Sequence, residues 1–320
     1  VALGTQIVKM ICIVLLIAVF NFLLIRAAPG DPALVIAGQS GAVDAQFVAR
    51  IRTEYGLDKP MVVQLGTYLD KIAHLDLGYS YRQQRPVLSL IFERLPATLL
   101  LALSAFALSL VGGVLLGCLA GVRAGRWSDT VITVISLVVY ATPVFWLGLM
   151  LVLLFAVHLE WLPAFGYRDV SRELTGWAAV FDVALHLVLP AVTLGMLYLA
   201  VYTRLMRASI IEVSHQDYVK TARAKGAAPR RILWRHMVRN ALLPVLTMAG
   251  LQAGTLIGGS VVIETVFAWP GLGRLTYEAV LARDYQVLQG VFFVLSVVVV
   301  MLNWLTDLLY RVVDPRIRAG

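Results

Sequence analysis

Six stretches of this chain are apolar over about 20 residues, the length a helix needs to cross the hydrocarbon core of a bilayer. They run from about Ile7 to Ile25, Ala97 to Ala120, Thr130 to Val157, His186 to Leu205, Leu243 to Phe267 and Leu288 to Tyr310. A longer polar segment, residues 27–96, separates the first two and has a periodicity of its own. Phe47, Val48, Ile51 and Tyr55 recur at helical spacing, and Met61, Val62, Leu65, Tyr68, Leu69 and Ile72 do so more cleanly. Pro60 suits the first turn of the second of these helices, and Gly78 and Pro86 punctuate the stretch between that helix and the second apolar run. The pattern predicts an all-α polytopic membrane protein: a single domain over residues 1–320, with six transmembrane helices and a small helical extracytoplasmic insertion. That insertion is either a docking element or a pair of solvated helices. The two halves share no repeat, which counts against a secondary transporter built from inverted repeats.

Basic residues set the expected orientation. With the N-terminus inside, the inner segments hold fifteen Lys and Arg against four in the two short outer loops. The excess places both termini in the cytoplasm. Composition agrees: 60% of residues are hydrophobic, 14% are charged and mean hydropathy is +0.82, against about 45–50% apolar and 25% charged in soluble domains. The net charge of +8 therefore marks cytoplasmic loops and lipid contact rather than a nucleic-acid surface. Cys12 and Cys118 lie in apolar runs and read as small apolar side chains, without disulfide or metal spacing. The chain starts without Met, so its beginning is expected to be trimmed. The first apolar run reads as a retained anchor, since no small-residue cleavage site succeeds it.

The inner segment between the fourth and fifth spans, residues 206–243, is too long and patterned for a plain connector. Ser214 and Asp217 have capping-box-like spacing, which predicts a helix starting near His215. Asp217 to Lys225 are helix formers, and Gly226 stands where a left-handed residue would end that helix. Pro229 suits the start of a second helix running to about Asn240. In it Ile232, Leu233, His236 and Met237 share one side, and Arg231, Arg235 and Arg239 another. Tyr218, Val219 and Ala222 read as apolar groups that insert into a groove on a partner. Thr221, Ala222, Ala224 and Gly226 allow close backbone approach. By itself the segment also fits a basic helix lying on anionic lipid.

Polar groups inside the spans are functional candidates by default. Glu264 either lines a pathway or reaches interfacial water. Asn303 and Asp307 are four apart, and Asp307 is spaced to pair with Arg311. Asn21 and His186 read as interfacial. Thr142, Pro143 and Gly148 interrupt the third span, with a kink expected at the proline. Gly250, Gly254, Gly258 and Gly259 suggest close helix packing in the fifth, either within the chain or at a seam with another subunit. The turn Trp269 to Gly273, then Leu275 to Leu281, either rims an outer mouth, with Trp269 and Pro270 as pathway candidates, or anchors at headgroup level.

KTARAKG (Lys220–Gly226) followed by RNALLP (Arg239–Pro244) resembles the coupling-loop motif of binding-protein-dependent ABC importer permeases. Lys220, Thr221 and Ala222 occupy the Glu-Ala-Ala places, so only the second Ala matches; Gly226 matches. Pro244 lies 18 residues after the Gly, a longer spacing than the general pattern and similar to the dipeptide, oligopeptide and nickel branch. RAAPGDPA, GLDKP, LDLGYS, RPV, RLPATL, EWLPAFGY, FAWPGLGR, RDY and DPRIR occur in that branch's order. The resemblance covers almost the whole chain. It implies the transmembrane domain of a type I ABC importer in a bacterial inner membrane. It further implies a second, related permease subunit, two ATPase subunits holding ATP and Mg, and an external solute-binding protein. Asp217 to Gly226 (Asp217, Tyr218, Lys220, Thr221, Ala222, Arg223, Ala224, Lys225, Gly226) would dock the ATPase, and Asn240, Leu243 and Pro244 would close the loop. Peptides are the first cargo expected; nickel chelates and glutathione are alternatives.

The chain has no Gly-Lys pair, hence no P-loop, and no cofactor is expected on it. A membrane enzyme is disfavoured because His-Glu-x-x-His and Gly-x-Ser-x-Gly are absent. A passive channel lacks a charge ring or carbonyl-filter string.

Overall fold

The computed structural model describes residues 3–27, 33–34, 38, 45–54 and 56–313. Its order is α1 (Leu3–Ala27), α2 (Ala45–Glu54), α3 (Met61–Ala73), a two-residue antiparallel ladder of β1 (Tyr79–Ser80) and β2 (Arg85–Pro86), then α4 (Val87–Val122), α5 (Trp127–Ala141) and α6 (Val144–Leu151). A π-helical turn, Val152–His158, continues α6. After it come α7 (Trp177–Ser214), α8 (Asp217–Ala224), α9 (Pro229–Arg231), a π-helical stretch Ile232–Val238, α10 (Arg239–Val266), α11 (Leu272–Ala282) and α12 (Tyr285–Val313).

Among the described residues, Val87–Val122, Trp177–Ser214 and Tyr285–Leu305 are each long and apolar enough to cross a bilayer. Two bent pairs would raise that to five, and Val8–Leu24 is a shorter apolar helix. The third expected span, Thr130 to Val157, is not one helix. It breaks at Thr142–Pro143 and turns by 109°. Pro143 brings no N–H, and its ring forces Thr142 into extended backbone (φ −82°, ψ 132°). In contrast, the fifth span starts earlier than Leu243. α9, the π-helical stretch and α10 run on from Pro229, so Pro244 lies inside a helix rather than at its start.

The chain divides into two compact units, residues 1–97 with 271–302 and residues 98–270 with 303–320. In the first, Val87, Leu90 and Ile91 pack with Leu272, Leu275, Ala279, Val287 and Val291; Tyr68, Leu69 and Ile72 of α3 lie against this core. The periodic stripe predicted for α3 is thus only half used, because Met61 and Val62 stay exposed. Asn21 is buried rather than interfacial, and its Nδ2 donates to the Gln289 carbonyl at 2.9 Å. Asp284 accepts from the Ser80 hydroxyl at 2.5 Å and from the Val287 N–H at 3.3 Å, joining the ladder to the first turn of α12. The predicted helix at Phe47 to Tyr55 is present as α2, although the side chains of Phe47 and Ile51 and all of Tyr55 lie outside the described residues. The same holds for the side chains of Asp307 and Arg311, so their pairing does too.

In the second unit α4 lies along α7. Gly113, Gly117 and Gly121, spaced by four, face Tyr202, Met206 and Ile210, spaced likewise. A Cβ at Gly117 would sit 2.5 Å from the Thr203 carbonyl oxygen and 2.6 Å from the Met206 Cβ. This is small-residue packing of the kind that lets helix backbones approach closely. It lies on α4, which the sequence reading did not single out. A Cβ at Gly258 of α10 would meet nothing within 4 Å, and one at Gly259 only ordinary contacts. Cys118 is buried in this core, Cys12 of the first unit is exposed, and neither forms a disulfide.

Candidate functional site

The predicted stub exists as α8, and its exit has the left-handed geometry expected for Gly226, at φ +73°. The Ala227 N–H bonds to the Ala222 carbonyl at 3.2 Å and the Gly226 N–H to the Arg223 carbonyl at 3.0 Å. This pair of bonds is a Schellman motif, and it satisfies carbonyls that the end of α8 would otherwise leave open. Pro229 then starts α9 without loss of an internal hydrogen bond. The capping box at the other end is absent. The Ser214 hydroxyl donates to the Ile211 carbonyl instead, because α7 runs on to Ser214 and α8 begins only at Asp217 with Gln216 before it.

α8 is mounted by its inner face. Val219 is fully buried among Ile232, Met237, Val238, Ala241, Met206 and Ile210, with Ala222 and Ala227 packed beside it. This corrects the reading of Val219 as a group offered to a partner, since it holds the stub to its own chain; Ala222 is half-buried at the edge of the same face. Helical phase alone shows that two residues share a face, but not which body covers it. The face left outward carries Asp217, Tyr218, Lys220, Thr221, Arg223, Ala224, Lys225 and Gly226. Lys220 pairs with Asp217 at 2.9 Å, and Thr221 donates to the Asp217 carbonyl at 2.9 Å. Asn240 closes the loop by donating to the Tyr218 hydroxyl at 3.0 Å and to the His236 carbonyl at 2.9 Å. Ile232 and Met237 are buried and Arg231, Arg235 and Arg239 exposed, as their spacing predicted. Leu243 and Pro244 are exposed on α10.

An ion pair missed in the sequence steadies α7 above the stub. Asp129, 3% exposed, accepts from Nε and Nη2 of Arg207, the latter at 2.8 Å, and from the Gly125 N–H at 2.9 Å. The only sequence trace is an acidic residue in the first turn of α5 just after Arg126, where it also suits the helix dipole. A double-mutant cycle of Asp129→Asn and Arg207→Gln in the purified protein is expected to give a coupling of about 1–3 kcal/mol in thermal unfolding. Arg207 is partly exposed, which keeps this below the about 3–5 kcal/mol of a fully enclosed pair. Additive losses would show the pair to be incidental.

The candidates expected near the outer ends of the spans are placed differently from expectation. Glu264 is fully buried, and its Oε1 accepts from the Thr98 hydroxyl at 2.8 Å and the Ser260 hydroxyl at 3.0 Å. It does not reach interfacial water. Trp269 is also fully buried, and stands edge-on to Tyr167 with ring centroids 4.9 Å apart. Its backbone N–H donates to the Glu264 carbonyl at 2.8 Å. The headgroup-anchor reading of Trp269 therefore fails: the indole faces protein on all sides. Pro270 is half-buried. His186 is buried beside Asp182, its Nδ1 2.8 Å from the Asp182 carbonyl oxygen, rather than interfacial. Among the described residues no group of His, Cys, Asp and Glu is arranged to hold a metal ion.

Comparison with known proteins places these features. The family described as the binding-protein-dependent transport system inner membrane component matches residues 113–319, and the N-terminal family of the same systems matches residues 3–102. A protein of Brucella abortus (strain 2308) named as a peptide transport system permease is 42% identical over 313 residues, covering 98% of this chain and 97% of that one. The dipeptide transport system permease protein DppB of Escherichia coli (strain K12) is 39% identical over 319 residues, covering 94% of each. An inward-facing structure of the MetNI methionine ABC transporter shares the fold, with a TM-score of 0.56 at 20% identity over 70% of this chain and 96% of that one.

Proposed function

This chain belongs to the family of binding-protein-dependent transport system inner membrane components, and we propose that it forms half of the translocation pathway of an ATP-driven importer of short peptides. The observation that carries the reading is the α8 stub. It is a short helix fixed to its own chain by Val219, ended by a left-handed glycine, and polar on its free face. Such a stub suits a cleft on a separate ATPase. Two ATPase subunits would supply ATP and Mg, a second related permease the other half, and an external solute-binding protein the cargo. Six crossings, formed by α1, α4, α5 with α6, α7, α10 and α12, would span a bacterial inner membrane with both ends in the cytoplasm. Residues 27–96 would form the extracytoplasmic insertion.

Closure of the ATPases would displace α8. The Schellman turn and the unbroken helical run from Pro229 would carry that displacement into α10, and packed helices would switch between two arrangements. At the far end of α10 the buried Glu264, with Trp269 and Pro270, would stiffen the pathway wall. The open Gly258 and Gly259 would receive the second permease. Peptide as the cargo is supported by the names of the relatives at 39–42% identity.

The test is uptake by the complete transporter in proteoliposomes. A labelled dipeptide should accumulate only with ATP, ATPase subunits and binding protein, and unlabelled dipeptide should compete. Flux without ATP would point to a channel. Competition by a nickel chelate or glutathione, but not by dipeptides, would overturn the cargo.

A further inference from the structure

Arg204 of α7 is a cation set inside an apolar helix pair. The seam between α4 and α7 gives its depth. Gly117 lies against Thr203 and Met206, so Arg204 stands at the level of Gly117. From Leu99 to Val122 α4 carries no charged residue, and Arg123 follows six residues after Gly117, about 9 Å of helix rise. Side chains on a helix lean toward its N-terminus, which for Arg204 is away from the Ser214 end of α7. The contacts agree. The guanidinium carbon lies over the Tyr140 ring, 4.6 Å from its centroid. Tyr140 is eleven residues beyond Asp129 on α5, about 16 Å further along. Asp129 itself is held by Arg207. Among the described residues Arg204 forms no salt bridge, and both it and Tyr140 are exposed on this chain.

A long basic side chain beside lipid snorkels toward the nearer end of its helix. Arg204 does the reverse. A cation at such depth faces a water-filled cavity or a polar partner rather than hydrocarbon, and lipid phosphates lie beyond the helix ends. A second observation concerns the same place. Two residues after Tyr140 the helix breaks at Thr142–Pro143 and turns by 109°, with Ala141 and Pro143 exposed. Non-helical backbone at membrane depth persists where it lines water or lies under protein, and its own chain leaves this break uncovered. A permanent cover by another subunit would need an acid matched to Arg204 as well as groups matched to the break. A water-filled pathway satisfies both at once.

Stacking on Tyr140 occupies one face of the guanidinium and leaves its edge, whose paired N–H groups match the two oxygens of a carboxylate. A short peptide carries such a carboxylate at its C-terminus whatever its side chains, so one Arg can act on every sequence. We propose that Arg204, backed by Tyr140, holds the C-terminal carboxylate of a peptide part-way along the pathway. This deepens the peptide-importer reading and rests on it. A single exposed cation holds the carboxylate loosely, as passage requires.

The test is peptide binding to the complete transporter, both permeases with their ATPases, in nanodiscs without nucleotide or binding protein. Saturation-transfer NMR at millimolar peptide suits a weak site and bypasses the selectivity of the binding protein. A dipeptide should bind about tenfold more tightly than its C-terminal amide, the scale of one charge-assisted hydrogen-bonded pair. Arg204→Gln should weaken the dipeptide about tenfold and leave the amide as it was, a split that a merely structural role would not produce. Tyr140→Leu, which removes only the ring behind the guanidinium, should narrow the preference, and it decides the matter if Arg204→Gln misfolds. Equal binding of acid and amide to the wild type would overturn the proposal. So would an equal loss of both in Arg204→Gln, which would make Arg204 a strut to an acidic group of the second permease. Loss of bound phosphatidylglycerol from Arg204→Gln, with the peptide preference intact, would overturn it in favour of a lipid contact. Dipeptide uptake by the same wild-type preparation, with ATP and loaded binding protein, separates the two claims. Absent uptake removes the peptide reading, whereas normal uptake without the acid–amide preference removes only the role of Arg204.

Discussion

Replacing Gly226 by Val is expected to abolish ATP-dependent uptake while leaving the chain inserted in the membrane. Gly226 sits at φ +73°, and a Cβ there would meet nothing within 4 Å. The penalty is therefore one of backbone alone, about 1–2 kcal/mol for a left-handed L-residue and more for a β-branched one. The chain can relieve it by leaving the left-handed region, which breaks the Ala227–Ala222 bond and re-aims the connection to Pro229. Val219 and Ala227 flank the turn and pack on the second unit's core, so some local stability goes with it, but the long apolar helices that carry insertion lie outside the turn, and insertion should be unaffected. Asn tolerates the left-handed region, and Gly226→Asn should retain most of the uptake. The measurement pairs solute-stimulated ATPase activity with uptake in proteoliposomes. Normal values for both in Gly226→Val would remove α8 from the transmission of force.

Replacing Gly117 by Val should have the larger effect on folding. At this position the obstruction is steric. The added Cβ would lie 2.5 Å from the Thr203 carbonyl oxygen, 2.6 Å from the Met206 Cβ and 3.1 Å from the Arg207 N. Two of these three are backbone atoms of α7 and cannot rotate aside, so α4 and α7 must separate. Overpacking typically costs about 1–3 kcal/mol where side chains can adjust; with backbone in the way the cost should reach or pass the upper end. Separation would also strain the Asp129–Arg207 pair and the core that holds Val219. The expected result is a marked loss of monodisperse protein in detergent extracts, read by fluorescence-detected size exclusion. Gly66→Ala on α3, where the added Cβ meets nothing within 4 Å, is the matched control and should behave as wild type. Equal yields for the two would show that α4 and α7 are not held by this seam.

Much of this was legible in one dimension. Among the described residues, apolar run length marked three helices long enough to cross a bilayer, and five with the two bent pairs, because a helix of fixed rise must match a bilayer of fixed thickness. Gly226 and Pro229 announced the stub's exit, because each restricts or frees its own backbone whatever surrounds it. Arg231, Arg235 and Arg239 fell on one exposed side, because helical period is a local property. Pro143 signalled an interruption, though as a kink rather than a 109° turn. A proline fixes where a helix must break, while the angle depends on what each half packs against.

Sequence by itself thus determined the long apolar helices, the basic segment ahead of α10 and the glycine-ended stub, since all of these derive from period, length and intrinsic backbone preference. Only the tertiary structure decided partners. Val219 faces its own core, the close glycine seam lies on α4, Asp129 meets Arg207 across 78 positions, and Glu264 is sealed by Thr98 across 166. A side chain's phase on a helix says which way it points. What waits there is set by the packing of segments far apart in the chain, and that packing turns an isolated carboxylate or glycine into a clamp or a seam.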